Sequence, residues 1–129
     1  MAKIIVADDD NKSTALFEQV LTMYGHQVVT VNESNQVMDL VNQERPDLII
    51  LDLMMPDPDG FKLCRMLRAD PQYRKIPIII VTALNDVDSR LVSIGAGASD
   101  YLVKPFHIDT LYSSVEKQLN KPSQTGRLS

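Results

Sequence analysis

The sequence predicts an α/β domain of five βα units, a parallel sheet covered by helices on both faces. Three observations predict it. Short apolar runs alternate five times with segments of helical period. Two of the runs, 48–51 and 78–81, are continuous and mostly branched, as strands buried on both faces require. Acids, a hydroxyl and an amine stand directly after the runs, where open α/β sheets bind ligands.

The first strand is expected at 4–7, and Asp8-Asp9-Asp10-Asn11 follows it. Asp10 or Asn11 caps the next helix, whose dipole favours negative charge there. Leu16, Val20 and Met23 give that helix an i, i+4, i+7 stripe, and Gly25 ends it as a C′ residue. The second strand is 28–31. Val37, Leu40 and Val41 mark the second helix, which Pro46 stops. The third strand, 48–51, precedes a helix marked by Leu63, Met66 and Leu67. The fourth, 78–81, precedes one marked by Val87, Leu91 and Ile94 and ended by Gly95 or Gly97. The fifth, 101–103, precedes a helix carrying Ile108, Leu111, Val115 and Leu119. The domain spans 1–119. Residues 120–129 are polar and aperiodic and read as a tail or the start of a linker.

The chain of 129 residues has room for one core, and its net charge of −4 excludes a basic nucleic-acid footprint. No apolar stretch reaches the roughly 18 residues of a membrane span, and the start lacks the layout of a signal peptide. A lone cysteine, Cys64, rules out an internal disulfide and fits a reducing cytoplasm. It falls in a helical apolar pattern and reads as a packed thiol. Phe17, Tyr24 and Phe61 read as core. Tyr73, Arg74 and Lys75 read as a solvated loop, Arg65 and Arg68 as an exposed helix face, and His26 as a turn residue.

Asp8 and Asp9 close the first strand and Asp52 closes the third. If these strands are neighbours the carboxylates converge. Two like charges about 4 Å apart cost about 4 kcal/mol at an effective dielectric of 20, a cost that a cation removes. Oxygen donors with no cysteine or histidine beside them suit Mg²⁺ or Mn²⁺. The plainer reading is helix capping by the first group and an ordinary loop acid at Asp52. Thr82 and Lys104 follow the fourth and fifth strands, so a hydroxyl and an amine join the acids. A carboxylate nucleophile, a hard cation, a lysine and a hydroxyl make a phosphoryl-transfer site.

In Val6-Ala7-Asp8-Asp9, the run Leu51-Asp52 to Gly60, Val81-Thr82-Ala83 and Tyr101-Leu102-Val103-Lys104-Pro105-Phe106, the chain resembles the receiver domains of two-component response regulators. The resemblance covers about residues 3–119. It implies a flavodoxin-like fold, doubly wound, with strand order 2-1-3-4-5. It also implies roles. Asp52 is the phosphoacceptor. Asp8, Asp9, Asp52 and the Met54 backbone carbonyl hold Mg²⁺. Lys104 pairs with Asp52 and then with the phosphoryl group. Thr82 is the switch hydroxyl, Ala83 offers a backbone N–H to the phosphoryl oxygens, and Tyr101 is the switch aromatic. The Lys104–Pro105 peptide is a cis candidate.

The implied donor is a histidine kinase or a histidine phosphotransfer protein, because neither histidine of this chain looks like a phosphohistidine. The implied reader is a downstream protein or output domain at the face of helix four, strand five and helix five, and a homodimer is allowed. His107 stands where many relatives carry a capping Asp, which weakens the last helix start. Met54 and Leu84, two residues beyond Asp52 and Thr82, cannot orient a water, so self-catalysed dephosphorylation is expected to be slow. The alternatives are a docking module that never takes phosphate and, further off, a haloacid-dehalogenase-like phosphatase. The phosphatase wants an acid where Met54 stands and usually a cap domain. A flavin carrier would need a glycine-rich loop in place of Asp8-Asp9-Asp10.

Overall fold

The computed structural model describes residues 1–121. Five strands, β1 (Lys3–Ala7), β2 (Gln27–Val31), β3 (Leu48–Leu51), β4 (Ile78–Thr82) and β5 (Asp100–Val103), form one sheet in the order β2-β1-β3-β4-β5. Every pairing is parallel. Helices α1 (Asn11–Met23), α2 (Val37–Glu44), α3 (Gly60–Ala69), α4 (Val87–Gly95) and α5 (Ile108–Leu119) connect and follow the strands. A short 3-10 turn, Ser34–Gln36, leads into α2. This is the doubly wound fold that the sequence predicts.

Alternation along the strands builds two cores, because successive side chains leave opposite faces. Ile5, Ala7, Ile49, Leu51, Ile78 and Ile80 point to one face, where Val37 and Val41 of α2 and Leu63 and Leu67 of α3 cover them. Ile4, Val6, Leu48, Ile50, Ile79 and Val81 point to the other, under Phe17 and Leu21 of α1 and Leu111 and Val115 of α5. Full burial of such a side chain contributes about 1.5–3 kcal/mol, so the central strands anchor the sheet.

Local signals set the helix ends. Asp10 caps α1 through the Lys12 N–H, Asp59 caps α3 through the Lys62 N–H, and Asp86 caps α4 through the Ser89 N–H, each at 2.9 Å. His107 precedes α5 without a side-chain capping bond. Gly25, at φ 88°, turns the chain after α1. Arg45, at φ 49°, ends α2 just before Pro46.

Several expected burials are corrected. In α1 the buried stripe is Thr14, Phe17, Val20 and Leu21, while Leu16 and Met23 face solvent. The period was legible, but its phase was shifted by one residue. Tyr24 is exposed and packs on Tyr112 with ring centroids 4.2 Å apart. Met66 and Ile108 are also exposed. In α4 the whole stripe of Val87, Leu91 and Ile94 faces outward, so periodicity found the helix and assigned its apolar side to the wrong environment. Tyr73 is buried, not solvated; its hydroxyl donates to Asn42 Oδ1 at 2.8 Å. Arg68 is half-buried: its guanidinium donates to the carbonyls of Gly97, Tyr73 and Ile76, tying the end of α3 to the loops around β4 and β5. His26 is buried as well, accepting from the Ala2 N–H and facing Glu116 at 2.9 Å. Cys64 is packed in the core as expected. The expected tail, 120–129, lies outside the described residues from 122 onward.

Candidate functional site

β1 pairs with β2 on one side and with β3 on the other, so the winding of the chain reverses at β1. Backbone bonds carry the strands one residue further at this edge. The Asp8 N–H donates to Val31 O at 3.1 Å, and the Asp52 N–H to Ala7 O at 3.0 Å. Asp8 and Asp52 therefore leave adjacent strand ends side by side, at the crevice where doubly wound sheets bind ligands.

Lys104 joins them. Its Nζ donates to Asp8 Oδ2 at 2.5 Å, to Asp52 Oδ2 at 2.9 Å and to Ser13 Oγ at 3.3 Å. The lysine backbone is fixed by its N–H on Thr82 O at 2.8 Å. The Lys104–Pro105 peptide is cis, as is Asp57–Pro58, which the sequence did not signal. Each acid keeps a second bond: Asp8 Oδ1 accepts the Asp10 N–H and Asp52 Oδ1 the Met54 N–H, both at 3.0 Å.

The electrostatics follow from burial. Only 2% of Asp8 and 6% of Asp52 are exposed. Burial pushes the Asp8 carboxyl above its ordinary range, and the shared lysine does not bring it back down. Burial alone would pull Lys104 down, but its bonds to Asp8 and Asp52 hold the ammonium above its usual value. Two carboxylates share one ammonium, so the cluster retains negative charge. Its free valences are hard oxygens. That donor set fits a divalent oxophilic cation.

The other expected residues spread around this cluster. Thr82, fully buried, accepts the Leu84 N–H on Oγ1 at 3.4 Å. Ala83 is exposed beside it. Tyr101 is 6% exposed, and its hydroxyl donates to Leu84 O at 2.6 Å. Burial pushes its phenol upward. Asp9 and Met54 are exposed, and among the described residues no hydrogen bond engages the Asp9 side chain. The structure thus brings Asp8, Asp52 and Lys104 into direct contact and leaves Asp9 outside that contact. Among the described residues no three acids, histidines or cysteines converge as a preformed metal site.

Three supports were missed in the sequence. Ser13 accepts from Lys104, and Asn32 donates to Asp8 O at 2.8 Å. Gly60 starts α3 directly against the acceptor loop: a Cβ there would lie 2.4 Å from Asp52 O. Only the glycine had a readable signal, in its place right after the Asp59 cap.

Two buried carboxylates and a lysine thus meet at the switch point of a doubly wound α/β sheet. The profile of the family described as "Response regulator receiver domain" matches residues 4–116, so the chain belongs to the response regulator receiver family. It is 37% identical over 122 residues to the "Probable transcriptional regulator ycf27" of Guillardia theta, covering 95% of this chain and 47% of that protein. It is 38% identical over 114 residues to "Response regulator PleD" of Caulobacter vibrioides, covering 88% of this chain and 25% of that protein. The chain thus spans half or less of the length of these curated relatives. Among solved structures, a putative response regulator from Chloroflexus aurantiacus superimposes with TM-score 0.89 at 30% identity, covering 93% of this chain and 98% of that one. The receiver domain of a signal transduction histidine kinase from Syntrophus aciditrophicus gives 0.87 at 31%, covering 100% and 99%.

Proposed function

We propose that residues 1–119 form a receiver that takes a phosphoryl group onto Asp52 from a histidine kinase or a histidine phosphotransfer protein. The observation that carries this is the convergence of Asp8 and Asp52 on Lys104 Nζ at the switch point, with the Thr82 hydroxyl at the next strand end.

The chemistry is a displacement at phosphorus. An Asp52 carboxylate oxygen forms the new P–O bond as the P–N bond to the donor imidazole breaks, and the leaving nitrogen keeps the bonding pair. Lys104 holds one Asp52 oxygen and the Met54 N–H holds the other, so the nucleophile is oriented before the donor arrives. Once the group has moved, the Lys104 ammonium is placed to pair with its oxygens, and the Ala83 N–H and Thr82 hydroxyl stand at the neighbouring strand end to donate to it. Asp8, Asp9, Asp52 and the Met54 carbonyl would hold Mg²⁺ or Mn²⁺. Bound there, the cation neutralises charge on the phosphoryl oxygens during transfer.

Phosphorylation adds roughly 1.5–2 negative charges at Asp52. Thr82 then turns from the Leu84 N–H toward the new oxygens, and Tyr101 reports that turn through Leu84 O. Tyr101 already stands inward, so phosphorylation selects this arrangement and holds it. The reader is a partner or output domain at the face of α4, β5 and α5, where Val87, Leu91 and Ile94 form an exposed apolar stripe. Apolar Met54 and Leu84 leave no side chain to orient a water, so the acyl phosphate persists.

The test is intact-mass spectrometry after incubation with a small acyl phosphate. The expected result is one phosphoryl addition that needs a divalent cation and vanishes in Asp52→Asn. Addition that is independent of the cation, or that survives the substitution, overturns the reading.

A further inference from the structure

We infer that Arg90 is a positioning residue, a clamp that fixes Tyr101 inward and fastens α4 to the sheet. Its importance for signalling rests on the receiver reading above; the contact itself does not.

α4 has little else to hold it. Of its nine residues only Ser93 is buried, and the Ser93 hydroxyl finds no hydrogen-bond partner among the described residues. Its apolar stripe points to solvent. Arg90 is the exception to this loose fit. Its guanidinium carbon lies 4.7 Å from the centroid of the Tyr101 ring, within the range of a cation–π contact.

The sequence around Arg90 explains why it is available for this contact. Asp86 precedes it by four residues, the spacing at which an acid normally pairs with an arginine on a helix. Here Asp86 is the helix cap, accepting the Ser89 N–H at 2.9 Å and the Ser89 hydroxyl at 2.8 Å. Among the described residues no carboxylate forms an ion pair with Arg90. The cation is left to the ring face. Tyr101 is then held from two sides. Its hydroxyl is bound to Leu84 O, ahead of α4, and its face is covered by Arg90, within α4. The ring and the helix move as one unit. Losing the cation loosens both while leaving the Asp8, Asp52 and Lys104 cluster untouched.

The test uses the full chain without phosphate, in four forms: wild type, Arg90→Ala, Tyr101→Leu and the double variant. Amide hydrogen exchange is read at residues 92–95, and the Tyr101 ring is followed by selectively labelled NMR. Arg90→Ala is expected to speed exchange in α4 by about three- to tenfold and to broaden or shift the ring signal. Arg90→Lys, which keeps a cation, is expected to restore part of the protection. The two single changes should be less than additive in the double variant, since either one removes the same contact. Full additivity overturns the inference, and so does wild-type exchange in Arg90→Ala. Phosphoryl uptake at Asp52 is measured in parallel and should be equal in wild type and Arg90→Ala. Loss of uptake in both would refute the receiver reading while leaving the clamp standing on its own data.

Discussion

Asp8→Asn is expected to stabilise the protein in EDTA and to destabilise it, relative to wild type, in saturating Mg²⁺. The perturbation removes one negative charge and keeps the shape of the side chain. Asp8 and Asp52 lie 2.5 and 2.9 Å from one lysine nitrogen. Their oxygens are therefore within about 5 Å of each other, which sets a repulsion of about 3 kcal/mol at an effective dielectric of 20. The attraction of Asp8 to Lys104 at 2.5 Å is of opposite sign and about 7 kcal/mol on the same scale, roughly twice the repulsion. Removing one partner of a buried pair is normally costly because it strands the other charge. Here Lys104 keeps Asp52, so nothing is stranded. The balance is decided by desolvation, which is several kcal/mol for a buried carboxylate and is already visible as the upward push on Asp8. A net gain of about 1–2 kcal/mol follows, or about 3–8 °C in Tm for a domain of this size. A cation at hundredfold excess over its Kd would add about 2.7 kcal/mol to wild type and little to the variant. Melting curves at pH 7.5, with EDTA and with Mg²⁺, should therefore cross in rank order. A variant that melts below wild type in EDTA refutes the electrostatic account. Equal stabilisation of both proteins by Mg²⁺ refutes the assignment of Asp8 as a ligand.

The remaining predictions concern neighbouring parts. Lys104 has its native pKa raised above the ordinary 10.5, so its stabilisation is fully present below about pH 10.5 and is lost as pH rises through the native value. The difference in unfolding free energy between wild type and Lys104→Met should be largest below that pH and close above it; a difference unchanged up to pH 12 would contradict the pairing. Asp8 runs the other way. In EDTA its contribution should grow as pH falls through its raised value, and this part of the wild-type pH profile should be absent in Asp8→Asn. Gly60→Ala should cost about 3 kcal/mol in denaturant titration, because its Cβ would sit 2.4 Å from Asp52 O and 2.8 Å from Leu53 Cα, backbone atoms that cannot step aside. Thr82→Ala should take up phosphate at Asp52 in intact-mass assays yet fail to strengthen partner binding on phosphorylation; loss of uptake would place the hydroxyl in the transfer step itself.

Much of this molecule was legible in its sequence, for a simple reason. The strands at 48–51 and 78–81 are buried on both faces, so nothing but apolar residues can stand there, and the pattern has one interpretation. The polar residues that follow them are conspicuous because burying charge is expensive. Where a helix touches the core on one side only, the reading was weaker. The stripes of α1 and α4 each fit a helical period, but period does not fix phase, and it does not say whether an apolar face meets the sheet or the solvent. Tyr73 and Arg68 were misread for a related reason. Arg68 donates to the Gly97 carbonyl and Tyr73 to the Asn42 amide oxygen, partners far away in sequence that no local pattern shows. Ser13 and Asn32 entered the site in the same way, through side-chain bonds set by tertiary packing.

The central claim is that Asp52, and neither Asp8 nor Asp9, carries the phosphoryl group. Hydride reduction of the acyl phosphate to an alcohol, followed by peptide mapping in a mass spectrometer, reads the site directly. The account predicts the modification at residue 52 in wild type, with Asp8 and Asp9 unmodified. Modification at residue 8 or 9, with Asp52 intact, would contradict it.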